Sequence, residues 1–298
     1  MGNPESKHLK YLAVSQHDRD WGLAVNSVGF QDIAPGAPYP PGDHPSRYVF
    51  NPERGRILAE YQLVYITRGH GRFSSRSMGR NMEVKEGMVL ALFPGEWHSY
   101  RPDSSSGWKE YWIGFQGRIA DNWLESKFLH MQKAIFDIGL RSDVVRLYDE
   151  AITLAEEGRS GFQQTLGSVA SHILSLAYYY DRNKVFHDSG LAEKIEQAKV
   201  IISSRLSDIS PEEIARELFM SYSGFRRAFK QYTGFSPAKY ILDARFSKAK
   251  EELTNTDLPI KDIAWSNGFA NYEYFLTSFK HNTGMTPREY RKMTTGTT

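Results

Sequence analysis

The spacing of hydrophobic residues changes period once along this chain. Up to residue 117 the apolar positions come in short runs rich in β-branched and aromatic side chains: Tyr61–Thr67, Met82–Lys85, Met88–Phe93 and Trp108–Phe115. Gly and Pro separate them, and several short strands at such spacing predict an antiparallel barrel or sandwich. Arg68-Gly69-His70-Gly71 interrupts the first run and reads as a turn. Pro35–Pro45 is too rich in Pro and Gly for regular structure and predicts an arm or lid. Past Gly117 the period becomes helical: Ile119–Leu129, Ser142–Glu157 and Phe162–Tyr180 read as helices, with Lys133–Ile138 as a last strand. In the third helix Leu166, Val169, Ile173, Leu176, Ala177 and Tyr180 form one apolar stripe at spacings of three and four. That stripe fits either a dimer interface or a cover for the barrel. Asp181–Ser189 is polar and predicts a linker; everything beyond it is helical.

This pattern gives an α+β multidomain chain. Residues 1–138 form an antiparallel β-barrel sensor and 139–181 a helical pair that is a candidate dimerisation region. Residues 182–190 make a linker, and 191–298 an all-α domain. Composition narrows the chemistry. With no cysteine, disulfides, thiolate metal sites and cysteine nucleophiles are excluded. The first dozen residues lack the apolar core of a signal peptide, and no apolar run approaches the roughly 18 residues of a membrane span, so a cytoplasmic location is expected. The last 109 residues carry a net charge of +3 and the rest −1, a tilt that permits DNA binding without demanding it.

Within the helical region a block repeats at an offset of 50. Phe225, Phe229, Lys230, Thr233, Gly234, Pro237 and Tyr240 recur as Phe275, Phe279, Lys280, Thr283, Gly284, Pro287 and Tyr290. Ile214-Ala215 recurs as Ile263-Ala264 at an offset of 49, so the second unit has one extra residue in its turn. A short helix, a tight turn and an amphipathic second helix make a helix-turn-helix, here twice. A plain helical bundle or a protein-binding pair is the alternative.

If the phenylalanines face inward, the residues around them face out. In the first unit these are Ser221, Tyr222, Ser223, Arg226, Arg227 and Lys230; in the second, Asn271, Tyr272, Glu273, Thr277 and Lys280. Arg donates two hydrogen bonds to a guanine edge, Asn pairs with adenine, Glu accepts from a cytosine amino group, and Lys suits a phosphate. The first unit, being more basic, should supply more of the electrostatic affinity.

Ile260-Lys-Asp-Ile-Ala-Trp-Ser-Asn-Gly-Phe269, then Tyr274-Phe275, Phe279-Lys280 and Gly284-Met-Thr-Pro-Arg-Glu-Tyr-Arg291, resemble the signature of the AraC/XylS family of bacterial transcription regulators. The resemblance covers residues 191–292 and implies two recognition helices, Ser221–Tyr232 and Asn271–Asn282, in successive major-groove segments of double-stranded DNA. Thr277 departs from the Arg or Lys usual in the family, which weakens the contact there.

Gly87-Met-Val-Leu-Ala-Leu-Phe-Pro-Gly-Glu-Trp-His-Ser-Tyr100 resembles the second motif of cupin barrels and the matching strands of AraC-type sugar sensors. Strand parity puts His98 and Tyr100 on one face, and Trp108, Glu110 and Trp112 on another. Aromatic faces beside carboxylate, imidazole and phenol groups suit a sugar. The resemblance implies sugar contacts at Arg54, Tyr100, Glu110 and Trp112; Tyr61 and His98 complete the candidate ligand-binding set. A metal-dependent cupin enzyme is the rival reading. It needs three or four His, Glu or Asp ligands, usually with a His-x-His pair that this chain lacks, and no phosphate loop or nucleophile elbow is present either. The expectation is therefore a non-enzymatic regulator without cofactor, switched by a sugar-like effector, acting as a homodimer, with RNA polymerase as a further partner. A barrel that takes a protein instead of a small molecule is the remaining alternative.

Overall fold

The structure, a computed structural model, describes residues 7–41, 49–187 and 190–295. Backbone contacts divide the chain into two compact units, residues 1–185 and 186–298.

The first unit is built around β4 (Tyr61–Ser75), which belongs to two sheets. Its first half pairs with β6 (Met88–Leu92) and β8 (Trp108–Gln116), and its second half with β5 (Gly79–Lys85) and β7 (Trp97–Pro102). The larger sheet continues from β8 through β2 (Ala24–Ile33) to β1 (Lys7–Tyr11), and from β6 to β9 (Ile135–Asp137). The short β3 (Arg56–Ile57) joins the other side by pairing with β7. All these pairings are antiparallel, as expected of a barrel.

The Gly69–Gly71 stretch, expected to end the strand, instead lets it pass from one sheet to the other. The β4–β8 register slips between Ile66 and Arg68, and Gly69 has φ +86°. A Cβ on Gly69 would lie 2.2 Å from the Gly107 carbonyl oxygen, and one on Gly71 2.2 Å from that of Arg101. Glycine admits both the bend and the close approach of the neighbouring strands. β2 had no expected counterpart, because Asn26, Ser27, Gln31 and Asp32 interrupt its apolar pattern.

Helix α1 (Gln16–Asp20) precedes β2, and α2 (Arg118–Glu125) follows β8. Helix α3 (Ser142–Glu157) has the expected bounds, but α4 (Phe162–His187) runs seven residues past Tyr180. Residues 182–187, expected to be linker, are thus helical; 188 and 189 lie outside the described residues, as do 42–45 of the expected arm. The stripe on α4 faces the barrel. Leu166, Val169, Ile173 and Ala177 are buried in the barrel core, and Leu176 and Tyr180 pack half-buried against it. Those six positions of the stripe cover the barrel.

The second unit holds α5 (Leu191–Ser204), α6 (Pro211–Glu217), α7 (Tyr222–Thr233), α8 (Pro237–Asn255), α9 (Ile260–Ser266), α10 (Tyr272–Thr283) and α11 (Pro287–Thr295). It has two small cores. Ile195, Ile202, Ile214, Phe225, Phe229 and Ile241 form the first; Phe246, Leu253, Ile263, Phe269, Phe275 and Phe279 the second. Helix α8 serves both, giving Ile241 to one and Phe246, Ala249 and Leu253 to the other. The sequence repeat is a repeat of contacts. Phe225–Phe229 and Phe229–Tyr240 ring centroids lie 5.4 and 5.3 Å apart, and their counterparts Phe275–Phe279 and Phe279–Tyr290 5.5 and 5.6 Å. Thr233 and Thr283 each donate to the carbonyl four residues back at 2.8 Å, and Gly234 and Gly284 end the helices left-handed at φ +85° and +82°. Residues 218–221 join α6 to α7 and residues 267–271 join α9 to α10, which is the extra residue expected in the second turn.

Candidate nucleic-acid interface and effector pocket

Helix α7 buries Phe225, Ala228 and Phe229 and leaves Tyr222, Ser223, Arg226, Arg227 and Lys230 exposed. Positions 223, 226, 227 and 230 fall on one helical stripe. Among the described residues none of the three cations makes an ion pair, so their charge is available to a partner. Ser221 is the N-cap, its Oγ accepting from the Gly224 amide at 3.2 Å.

The second helix departs from expectation in detail. Asn271 is likewise an N-cap, its Oδ1 accepting from the Tyr274 amide at 2.9 Å, so a two-bond contact to adenine competes with the cap. Tyr272, expected to face out, is half-buried against the second core. Tyr274 is the exposed aromatic of α10, 53% accessible, and the sequence reading did not place it among the contacts. Its counterpart in the repeat is Gly224, so the first unit held no signal for it. Glu273, Thr277 and Lys280 are exposed on one stripe; the Thr277 hydroxyl donates back to the Glu273 and Tyr274 carbonyls.

Inside the barrel a pocket is lined by Tyr11 of β1, Gln31 of β2, Gln62 and Val64 of β4, Tyr100 of β7, Glu110 and Trp112 of β8, and Arg56 of β3. Tyr39, Pro40 and Phe50, from the segment between β2 and β3, complete it. Parity on β8 and β7 thus brought Tyr100, Glu110 and Trp112 together as expected. His98 sits one layer behind: its Nε2 accepts from Arg56 Nε at 3.3 Å and its Nδ1 faces the Glu96 carbonyl at 3.1 Å. Those partners require the neutral Nδ1–H form. Burial, reinforced by the Arg56 charge, pushes His98 down to about 3.

Arg54 and Tyr61 are not in the pocket. Arg54 is exposed before β3; its carbonyl accepts from Trp97 Nε1 at 2.9 Å and its backbone N–H donates to the Asn51 carbonyl at 3.0 Å. Arg56 lines the pocket instead, donating to the Tyr100 hydroxyl at 2.9 Å and lying 4.4 Å over the Phe50 ring. Tyr61 is one residue out of parity with Gln62 and Val64 on this face. It points outward, its hydroxyl donating to Asp121 of α2 at 3.0 Å.

Glu110 is the electrostatic centre of the pocket. It is 3% exposed, and burial pushes its carboxyl up to about 7. Hydrogen bonds from Gln31 and Tyr39 and the charge of Arg56 oppose that rise. The indole Nε1 of Trp108 bears on the same carboxylate, yet is buried without a hydrogen-bond partner among the described residues. No group of three His, Cys, Asp or Glu able to hold a metal occurs among the described residues, so the ligand set required by the metal-enzyme reading is not assembled there. No described helix is long and apolar enough to cross a membrane.

Comparison with known proteins bears on both sites. A model of the AraC-like ligand-binding domain matches residues 37–176, and one of a helix-turn-helix domain matches residues 214–293. The arabinose operon regulatory protein of Salmonella typhimurium is 28% identical over 238 residues, covering 78% of this chain and 83% of that one. The Msm operon regulatory protein of Streptococcus mutans is 26% identical, covering 82% and 87%. Among solved structures, the C-terminal domain of AraT, a response regulator from Geobacillus stearothermophilus, is 34% identical and covers 35% of this chain and 88% of that one, with a TM-score of 0.34.

Proposed function

Because the chain belongs to the AraC family of transcription regulators, we propose that a sugar-like molecule in its barrel controls how α7 and α10 occupy DNA at carbohydrate-utilisation genes. The observation that carries the sugar reading is the pocket itself. It gathers hydrogen-bonding groups of every kind (Glu110, Gln31, Gln62, Arg56 and the Tyr100 phenol) beside the apolar faces of Trp112 and Phe50. A sugar offers the matching set, hydroxyls around its rim and C–H groups on its faces. Relatives named for the arabinose operon, and the lactose operon transcription activator of Staphylococcus xylosus, support the same class of effector.

On DNA, Arg226, Arg227 and Ser223 read bases from α7, and Glu273, Thr277 and the exposed Tyr274 do so from α10. Lys230 and Lys280 hold phosphates, as do Ser221, Tyr222 and Asn271 at the helix starts. Tyr272 serves the core. The protein acts in the cytoplasm as a homodimer, whose interface lies elsewhere than the α4 stripe, and engages RNA polymerase at its promoters. Two linked copies gain affinity through effective concentration that one set of contacts lacks. Genome-wide mapping of bound DNA, with thermal-shift titration of mono- and oligosaccharides, tests this reading. Sites beside sugar-transport and sugar-catabolism genes, and a sugar that raises the melting temperature, are expected. Sites unrelated to carbohydrate genes, with no stabilising saccharide, would sink it.

A further inference from the structure

The pocket is too small for the effector just proposed. Its free volume is about 30 Å³, room for about two waters. What fills it is the chain's own Tyr39. That ring lies edge-on to Trp108 at 5.8 Å and to Phe50 at 6.3 Å, and tilted on Tyr100 at 6.1 Å. Its hydroxyl stands 3.3 Å from each carboxylate oxygen of Glu110, donating to that group. Around it, residues 34–38 are all exposed and belong to no helix or strand. Among the described residues, the backbone bonds of the stretch include Gly36 N–H to the Ser104 carbonyl at 2.8 Å and Ala37 N–H to the Ala34 carbonyl at 3.1 Å. Tyr39, with Pro40 beside it, is therefore lodged in the barrel at the end of a solvated stretch, its hydroxyl on the pocket's buried carboxylate.

We propose that Tyr39 occupies the effector's seat, so that the effector is a small ring with a hydroxyl donated to Glu110 and binds only by expelling Tyr39 and the segment that carries it. This rests on the barrel being an effector pocket. The chemistry of the seat is what Tyr39 itself displays: a ring of about six atoms between aromatic walls, and one hydroxyl on a carboxylate. A pyranose and a simple phenol both meet that description. The buried Trp108 N–H, which makes no full hydrogen bond among the described residues, bears on the same carboxylate that would receive the ligand's hydroxyl. A local opening of a few weakly held residues is the least costly motion in such a fold. Since Tyr39 and the effector exclude each other, occupancy is converted into the position of residues 34–41. The plug also weakens the apparent affinity by the fraction of molecules whose seat is vacant.

The test uses the full chain and two kinds of probe. Tyr39→Ala empties the seat, and p-cresol, the tyrosine side chain as a free molecule, should then bind. Its addition should raise the melting temperature of Y39A and leave wild type unmoved, and Glu110→Gln in the Y39A background should weaken it. Among L-arabinose, D-xylose, D-galactose and D-glucose, any sugar that binds should bind Y39A about tenfold or more tightly than wild type. Equal response of Y39A and wild type to p-cresol, or no response of either, overturns the proposal. A p-cresol response confined to Y39A with no sugar binding to either protein upholds the plug and removes the sugar reading instead. If Y39A does not fold, Tyr39→Phe keeps the ring and loses only the bond to Glu110; p-cresol and sugar responses identical to wild type would then overturn the proposal.

Discussion

Two buried titratable residues of the barrel are pushed in opposite directions, and their effects on stability oppose each other. Glu110 rises from its ordinary 4.5 to about 7, so between those values the folded protein holds a proton that the unfolded chain has lost. Its contribution therefore favours folding at low pH and fades as pH climbs toward 7. His98 falls from 6.5 to about 3, so over that interval the unfolded chain takes up the proton and stability rises with pH. Across roughly pH 4.5–6.5 the two slopes offset each other. In Glu110→Gln only the rising slope remains, and the urea midpoint should increase steadily from pH 4.5 to 6.5 where wild type stays flatter; equal profiles would count against the buried carboxyl. Part of this centre was legible in the sequence. Period-two spacing is visible inside a run such as Trp108–Phe115, so Glu110 and Trp112 could be assigned one face. Arg54 failed for a local reason: whether it or Arg56 reaches the pocket depends on where the chain enters β3, a strand of two residues too short to carry a pattern. Gln31 was hidden as a polar break in β2, and Tyr39 lay in the segment expected to be an arm or lid, where the lack of period singled out no residue.

At the scale of single helices, the two recognition elements differ in how their surfaces are committed. The exposed stripe of α7 holds three cations that make no ion pair among the described residues, whereas α10 offers Glu273, Thr277 and Lys280, with Asn271 engaged in capping. At least one of Arg226→Ala and Arg227→Ala should lose about 1–3 kcal/mol of operator affinity together with preference at one base. Lys230→Ala should weaken all sequences alike and flatten the salt dependence by about one ion. Gel-shift titration at several salt concentrations separates these outcomes, and unchanged affinity in all three variants would remove α7 as the reader. The amphipathic period made these helices readable, because burial of Phe225 and Phe229 fixes which residues face out. It misjudged Tyr272, which stands in the first turn, where a side chain can lean back over the core.

For the DNA-binding unit as a whole, one helix and one arginine hold the two halves together. Arg245 of α8 donates from Nε to the Leu206 carbonyl at 2.8 Å and from Nη1 to the Gly268 carbonyl at 3.0 Å, joining the loop after α5 to the turn of the second helix-turn-helix. There Gly268 has φ +79°, and a Cβ would lie 2.1 Å from the Ser207 carbonyl oxygen. Gly268→Ala should destabilise this unit by more than about 1 kcal/mol, through both backbone strain and the clash. Calorimetry should then find a lowered transition for the unit; an unshifted one would mean that the halves do not rely on this contact. The expected two-unit organisation was readable from the change in hydrophobic period and the repeat. The junction between repeats was not, since it consists of carbonyls and one glycine that leave no periodic trace.

Helix α8 contributes side chains to both cores, so the spacing between α7 and α10 is built into a covalent rod rather than left to a hinge. Such a rod measures its target. A single base pair inserted between the two contacted segments of an operator displaces the second by about 3.4 Å and rotates it by about 34° around the duplex axis. With both helices on DNA as proposed, a rod packed into both cores resists that rotation, and the operator is expected to keep phase with the protein as well as present the right bases. Its internal length should be as invariant as any base it contains.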